Sequence, residues 1–251
     1  MEVRELARTE RPYLHVYFPT PPRNRPYVIV NMVGSLDGKA VITDTEQGLG
    51  SPADKDRMQE LRAQADAVMN GASTLRKSGA SSRVRAKSLV EWRLEHGKPE
   101  QPLGVLVTRE ARFEMRGPYF DGSLPAVIYA SLISPERKRE IEARGPTVVE
   151  IPDRRDNIKA ALRDLRTARG VRLLLCEGGP STNAALLAAG ALDELFLTLS
   201  PTLVGGHETL SILGGESPTA LDDAHRLTPI SALANPETGE LYLRYRVPRN
   251  P

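Results

Sequence analysis

The sequence predicts an α/β fold in three layers: a mostly parallel central sheet flanked by helices, with a C-terminal antiparallel hairpin. Three observations predict it. From residue 27 onward, apolar β-branched runs alternate with helical patterns, as β–α units do. Several of those runs stop at turns rich in glycine and hydroxyl residues. The last two runs instead flank Asn235-Pro236-Glu237-Thr238-Gly239, a hairpin signal.

Residues 1–26 predict an irregular arm. Pro19, Pro21, Pro22 and Pro26 interrupt regular structure there, while Leu14, Val16, Tyr17 and Phe18 offer apolar surface to cover the domain or a partner subunit. Residues 27–251 then read as a single domain. Residues 27–33 form an apolar strand. Residues 52–65 form a helix, with Ser51 as N-cap, Pro52 in the first turn, and Met58, Leu61 and Ala65 on one face. Residues 66–70 form a short buried strand that leaves through Gly71-Ala72-Ser73-Thr74. Residues 77–101 are polar and basic and predict an irregular excursion. Strands follow at 103–108 and 126–130. A helix capped by Ser134, with Pro135 first and Gly145 beyond its end, runs through 143. Residues 147–151 are a strand, and 156–169 a helix closed by Gly170. A strand at 171–176, a helix at 181–190 and a strand at 193–199 come next. In the hairpin, 227–234 and 240–247, Leu241, Leu243 and Tyr245 alternate against Tyr242, Arg244 and Arg246.

Composition narrows the classes. An apolar share of 40% over 251 residues is enough for a sizeable core. The single cysteine, Cys176, excludes disulfides within the chain and speaks against a metal cluster, so no metal is expected. A net charge of +2, with bases dispersed among acids, argues against a nucleic-acid protein. No apolar run reaches the ~18 residues of a membrane span, and the polar N-terminus does not read as a signal peptide, so a cytoplasmic protein is expected.

The strongest chemical signal is the end of the 171–176 strand, where Glu177-Gly178-Gly179-Pro180 leads into Ser181-Thr182 and a helix. Glycines let backbone N–H groups approach a phosphate, and a helix start favours negative charge. Gly178, Gly179, Pro180, Ser181 and Thr182 are therefore expected to bind a phosphorylated ligand, a nucleotide cofactor first among the candidates. Glu177 stands at the strand's carboxyl end, where open α/β sheets take ligands. Gly71, Ser73 and Thr74 leave another strand and could hold phosphate or simply cap the next turn. The first strand exit carries Asn31, Val33, Ser35, Asp37 and Lys39, bringing an amide, a hydroxyl, a carboxylate and an ammonium together. Its plainer reading is an Asp-Gly turn with a solvated lysine. Residues 201–206 supply a fourth exit with two glycines, or a plain turn. All four should gather at one sheet edge.

These motifs, Ser35-Leu36-Asp37-Gly38-Lys39, the 61–68 segment running on to Gly71 and Thr74, Glu177-Gly178-Gly179-Pro180, Asp193-Glu194-Leu195 and 201–206, occur in a familiar order. Over roughly residues 27–247 the chain resembles the C-terminal reductase domain of the bifunctional deaminase–reductase of riboflavin biosynthesis. The resemblance implies a dihydrofolate-reductase-like fold, NADPH as cofactor, a homodimer, and hydride transfer to C1′ of the opened ribose of a phosphoribosylamino-pyrimidine. It implies cofactor contacts at Val33, Thr74 and from Gly179 onward. It also implies substrate contacts at Arg62 and Glu177, with Arg85 or Arg83 at the phosphate. Asn31 and Ser35 join that substrate set, and Lys39, Asp37 and Glu177 are the expected catalytic residues. The chain departs from the family where Ser78 replaces an aspartate and where Gly48 stands near a usual tryptophan. The deaminase zinc signature is absent from the sequence. A dihydrofolate-type or other small-molecule reductase on the same fold, and a non-catalytic nucleotide-binding module, are the alternatives.

Overall fold

The computed structural model describes residues 2–7, 9–40, 48–79, 81–154, 157–207, 209–215 and 224–248, the side chains of Lys77 and Ser78 excepted. The replacement expected at Ser78 therefore lies outside the described side chains.

The strands are β1 (Val3–Glu5), β2 (Tyr27–Ser35), β3 (Ala67–Gly71), β4 (Leu103–Thr108), β5 (Ala126–Ala130), β6 (Thr147–Glu150), β7 (Leu173–Gly178), β8 (Glu194–Ser200), β9 (Thr228–Ala234) and β10 (Leu241–Arg246). They form one sheet in the order β1-β9-β10-β8-β2-β7-β3-β4-β5-β6. Only β10 runs antiparallel to its neighbours, β8 and β9. The helices are α1 (Pro52–Gln64), α2 (Ala72–Ser78), α3 (Lys87–Glu95), α4 (Pro135–Glu142), α5 (Asn157–Thr167) and α6 (Pro180–Ala188), with a 3-10 turn at Pro12–His15.

Side-chain alternation along the sheet separates two cores. Val28 and Val30 of β2, Leu174 and Cys176 of β7 and Val105 of β4 pack with Ile158, Leu162 and Leu165 of α5 and Leu186 of α6. On the opposite face Ile29, Val68, Leu175 and Phe196 pack with Leu61 of α1 and Tyr13 of the arm. Helices thus cover both faces, as the expected three layers require.

The arm is more regular than its prolines predict. β1 adds parallel to β9 and becomes one edge of the sheet, outside the hairpin. Arg25 ties the arm to the start of β8 through a bidentate pair with Asp193, at 2.6 and 2.9 Å. Residues 77–101 also differ from expectation, because they hold the end of α2 and all of α3. α3 packs through Leu89 and through a charged residue: Arg93, fully buried, donates to the carbonyls of Arg62, Ala63 and Ala65 at the end of α1. In the hairpin the buried ring is Tyr242, while Leu241, Leu243 and Tyr245 are only half-covered.

Candidate active site

β2, β3 and β7 run parallel and end at one edge, and α1 lies over the face that carries Ile29, Val68 and Leu175. A cavity of about 1680 Å³ opens there. Asn31 and Val33 of β2, Asn70 and Gly71 of β3, and Glu177 and Gly178 of β7 line its sheet side. Asp54, Met58 and Arg62 line the α1 side, spaced by four residues and therefore stacked on one helix face. Ser73 and Thr74 of α2 and Gly179, Pro180, Ser181 and Thr182 at the start of α6 form the far end. Arg85 lies on the rim. Three expected exits therefore converge. The fourth, 201–206, is not part of the lining.

At the cavity's centre Arg62 grips Glu177. Nε and one Nη donate to the two carboxylate oxygens at 2.6 and 2.7 Å, and the other Nη donates to the Arg83 carbonyl at 2.9 Å. Both side chains are over nine-tenths buried. Burial works against the guanidinium's charge, but Glu177 outweighs it and Arg62 ends above its usual pKa. A planar fork matched to a carboxylate is what arginine does best. Three of its five N–H donors are thereby committed, which leaves one on each Nη. Glu177 retains lone pairs to accept hydroxyl protons.

Asn70, behind Glu177, donates to Ser82 Oγ at 2.9 Å and to the Tyr119 hydroxyl at 3.3 Å. Ser82 and Tyr119 also hydrogen-bond each other. All three are buried, and burial pushes the Tyr119 phenol up to about 12, so it stays neutral. Ser81, next along, is buried on the cavity wall with no partner for its hydroxyl among the described residues.

Ser35, Asp37 and Lys39 lie outside the lining. Asp37 accepts from Ser35 Oγ at 2.6 Å and from the Val204 and Gly205 N–H groups at 3.0 and 2.7 Å. The Ser35 bond first, then those two N–H groups, hold its carboxyl far below the usual range. The Lys39 backbone N–H donates to Ser35 Oγ, and Lys39 bridges Ser211. The first turn and the 201–206 segment are thus bound to one another beside the cavity.

The α6 end fits the phosphates of a dinucleotide. Gly179 has φ +86° and a Cβ there would stand 3.0 Å from Thr74 Oγ1; one on Gly71 would stand 2.7 Å from Thr182 Oγ1. Only glycine lets the two strand exits and the helix start close into a cradle. Thr74 Oγ1 reaches the Gly178 carbonyl at 3.2 Å, and hydroxyls with helix-start N–H groups are a phosphate's natural donors. Among the described residues no cluster of His, Cys, Asp and Glu could hold a metal, and no helix is long and apolar enough to cross a membrane.

Sequence reasoning missed Asp54, Arg57 and Glu60 on α1, Ser81, and the arm's Thr9, Glu10 and Arg11, all lining the cavity. The spacing of Asp54, Met58 and Arg62 was the available signal.

A mostly parallel sheet with a glycine-lined cleft at its carboxyl edge and a buried carboxylate beside it places the chain among α/β proteins built to take a ligand at their strand exits. Within that class the chain belongs to the RibD C-terminal domain family, which matches residues 26–234. It is 30% identical over 195 residues to the 2,5-diamino-6-ribosylamino-4(3H)-pyrimidinone 5′-phosphate reductase of Archaeoglobus fulgidus, covering 77% of this chain and 88% of that one. The protein of the same name from Methanothermobacter thermautotrophicus is 30% identical over 204 residues, covering 81% and 90%. Among solved structures, a pyrimidine reductase-like protein from Corynebacterium diphtheriae shares the fold with a TM-score of 0.78 at 24% identity, covering 90% and 94%.

Proposed function

We propose that this chain is an NADPH-dependent reductase that converts the ribosyl group of a phosphoribosylamino-pyrimidine to a ribityl chain in riboflavin biosynthesis. The observation that carries it is Glu177, fixed by Arg62 between the α6 cradle and the α1 wall. A cofactor bound at the cradle supplies the hydride to C1′. The protein orients the sugar: Glu177 accepts from ribose hydroxyls, Asn31 and Val33 form the floor, and Arg85, Arg57 and Ser81 line the end that suits the 5′-phosphate. Arg62 acts through Glu177. Ser35, Asp37 and Lys39 build the loop wall rather than touch the reacting atoms.

NADPH over NADH is supported by Arg76, Arg109 and Arg112, which line the cavity beyond Ser73 and give that end three guanidiniums for a 2′-phosphate. A homodimer is supported by β8 and β10, where Leu195, Leu197 and Leu199 stand opposite Tyr245, Leu243 and Leu241 and all six remain half-covered.

The test is oxidation of NADPH and of NADH with 2,5-diamino-6-ribosylamino-4(3H)-pyrimidinone 5′-phosphate, its deaminated uracil counterpart and dihydrofolate. Turnover of either ribosylamino-pyrimidine, with NADPH preferred, is expected. Turnover of dihydrofolate alone would overturn the reading.

A further inference from the structure

α1 brings to the cavity one carboxyl that none of the expected site residues includes. Asp54 precedes Met58 and Arg62 on the same helix face, lines the cavity and is 9% exposed. Gly50 makes room for it, since a Cβ there would stand 2.2 Å from Asp54 Oδ2. Its hydrogen-bonding partner is Thr198 of β8, whose register neighbour on β2 is Val33 of the cavity floor.

The groups around Asp54 leave it without an ion pair among the described residues. Glu240, before β10, is satisfied by Ser51 N and Oγ, Thr238 Oγ1 and the Tyr242 hydroxyl. Arg57 on α1 is bound to Glu60 at 2.5 Å, and Lys55 is the other cation that acts on Asp54. Tyr13 of the arm and Tyr242 of β10 are neutral phenols whose ionisation Asp54 opposes. Burial pushes the Asp54 carboxyl up to about 6. Thr198 pulls it back, Glu240 adds to the rise, and Lys55 and Arg57 offset part of it.

Three other acids near the cavity have their own partners or stand off its wall. Glu177 is matched by Arg62, Glu60 accepts from the Tyr13 N–H and Arg57, and Asp37 lies outside the lining. We propose that Asp54 is the proton donor of the reduction, giving its carboxyl proton to the ring oxygen of the substrate's ribosyl group. This rests on the phosphoribosylamino-pyrimidine reading. As the C1′–O4′ bond breaks, its electron pair goes to O4′, which takes the Asp54 proton, while the amine lone pair forms C1′=N. Hydride addition at C1′ returns that pair to nitrogen. Asp54 is left as carboxylate and regains a proton from solvent, so each turnover consumes one hydride and one proton.

Two measurements test this. In the wild-type protein, 13C NMR titration, assigned by comparison with Asp54→Asn, should show the Asp54 carboxyl titrating near 6. A midpoint in the ordinary carboxylate range, about 4, would overturn the proposal. In kinetics, wild-type kcat/KM should fall about tenfold per pH unit above that midpoint, and Asp54→Asn should lose about 10²-fold at pH 6 and flatten the profile. NADPH binding, read by nicotinamide fluorescence, should be unchanged. An Asp54→Asn protein that keeps kcat/KM within about threefold, with the same profile, would overturn the proposal and leave the reductase reading standing. A wild-type protein inactive on both pyrimidine phosphates would instead sink the reductase reading.

Discussion

The buried pair of Arg62 and Glu177 dominates at the scale of single residues. Removing one partner strands the other charge away from water, which costs about 3–5 kcal/mol. Arg62→Ala should therefore lower the free energy of unfolding by about that much in urea titrations. Arg62→Lys should rescue little, because an ammonium cannot make the bidentate contact. Glu177→Gln should raise KM for the pyrimidine while leaving NADPH affinity close to wild type; collapse of NADPH affinity would remove Glu177 from the substrate side. Asp54 gives a pH signature in stability as well. Its folded pKa, about 6, lies above the usual aspartate value, so the folded state holds the extra proton between about pH 4 and 6. The stability this contributes is present at acid pH and is lost as pH rises through 6. Asp54→Asn should thus be more stable than wild type at pH 8, by up to about 3 kcal/mol, and the gain should vanish near pH 4 in paired melts. At this scale the sequence made Arg62 and Glu177 visible but not their embrace, which joins residues on a helix and a strand 115 positions apart. Asp37 and Lys39 are legible as a polar turn, but the bonds by which Asp37 fastens that turn to the Val204 and Gly205 N–H groups are not.

Elements built on local signals were legible. Ser51 caps α1 by accepting from Ala53 and Asp54 N–H, and Ser134 caps α4 through the Arg137 N–H, each followed by the proline that suits a first turn. The glycine turn before α6 was legible for the same reason, since a left-handed φ and a close approach both demand glycine. Gly179→Ala should therefore weaken NADPH binding at least tenfold by strain at φ +86° and by crowding Thr74, and lower the melting temperature by a few degrees. Unchanged affinity in a fluorescence titration would place the cofactor elsewhere. α3 and β1 were not legible. α3 buries an arginine that donates to four backbone carbonyls, and a buried arginine reads as surface in any apolar pattern. β1 is only three residues long, and its pairing partner lies more than two hundred residues away.

The whole molecule packs apolar clusters on both faces of one sheet and leaves part of the sheet face half-covered at β8 and β10. A homodimer through that face predicts that Leu243→Glu shifts the protein from dimer to monomer in light scattering after size exclusion. A dimer that survives would move the interface elsewhere. The parallel order of β2, β7 and β3 brings three strand exits to one cavity; repeated β–α units made that convergence legible. The arm's share of the cavity, Thr9, Glu10 and Arg11, was hidden because nothing local marks where an arm folds back. The central claim is that this cavity reduces a phosphoribosylamino-pyrimidine with NADPH. Its most direct test is NADPH oxidation with the diamino-pyrimidinone phosphate and its deaminated counterpart, beside dihydrofolate. The account predicts turnover of a ribosylamino-pyrimidine phosphate with formation of the ribityl product and none of dihydrofolate. Dihydrofolate turnover, or tight NADPH binding without oxidation on any of the three, would contradict it.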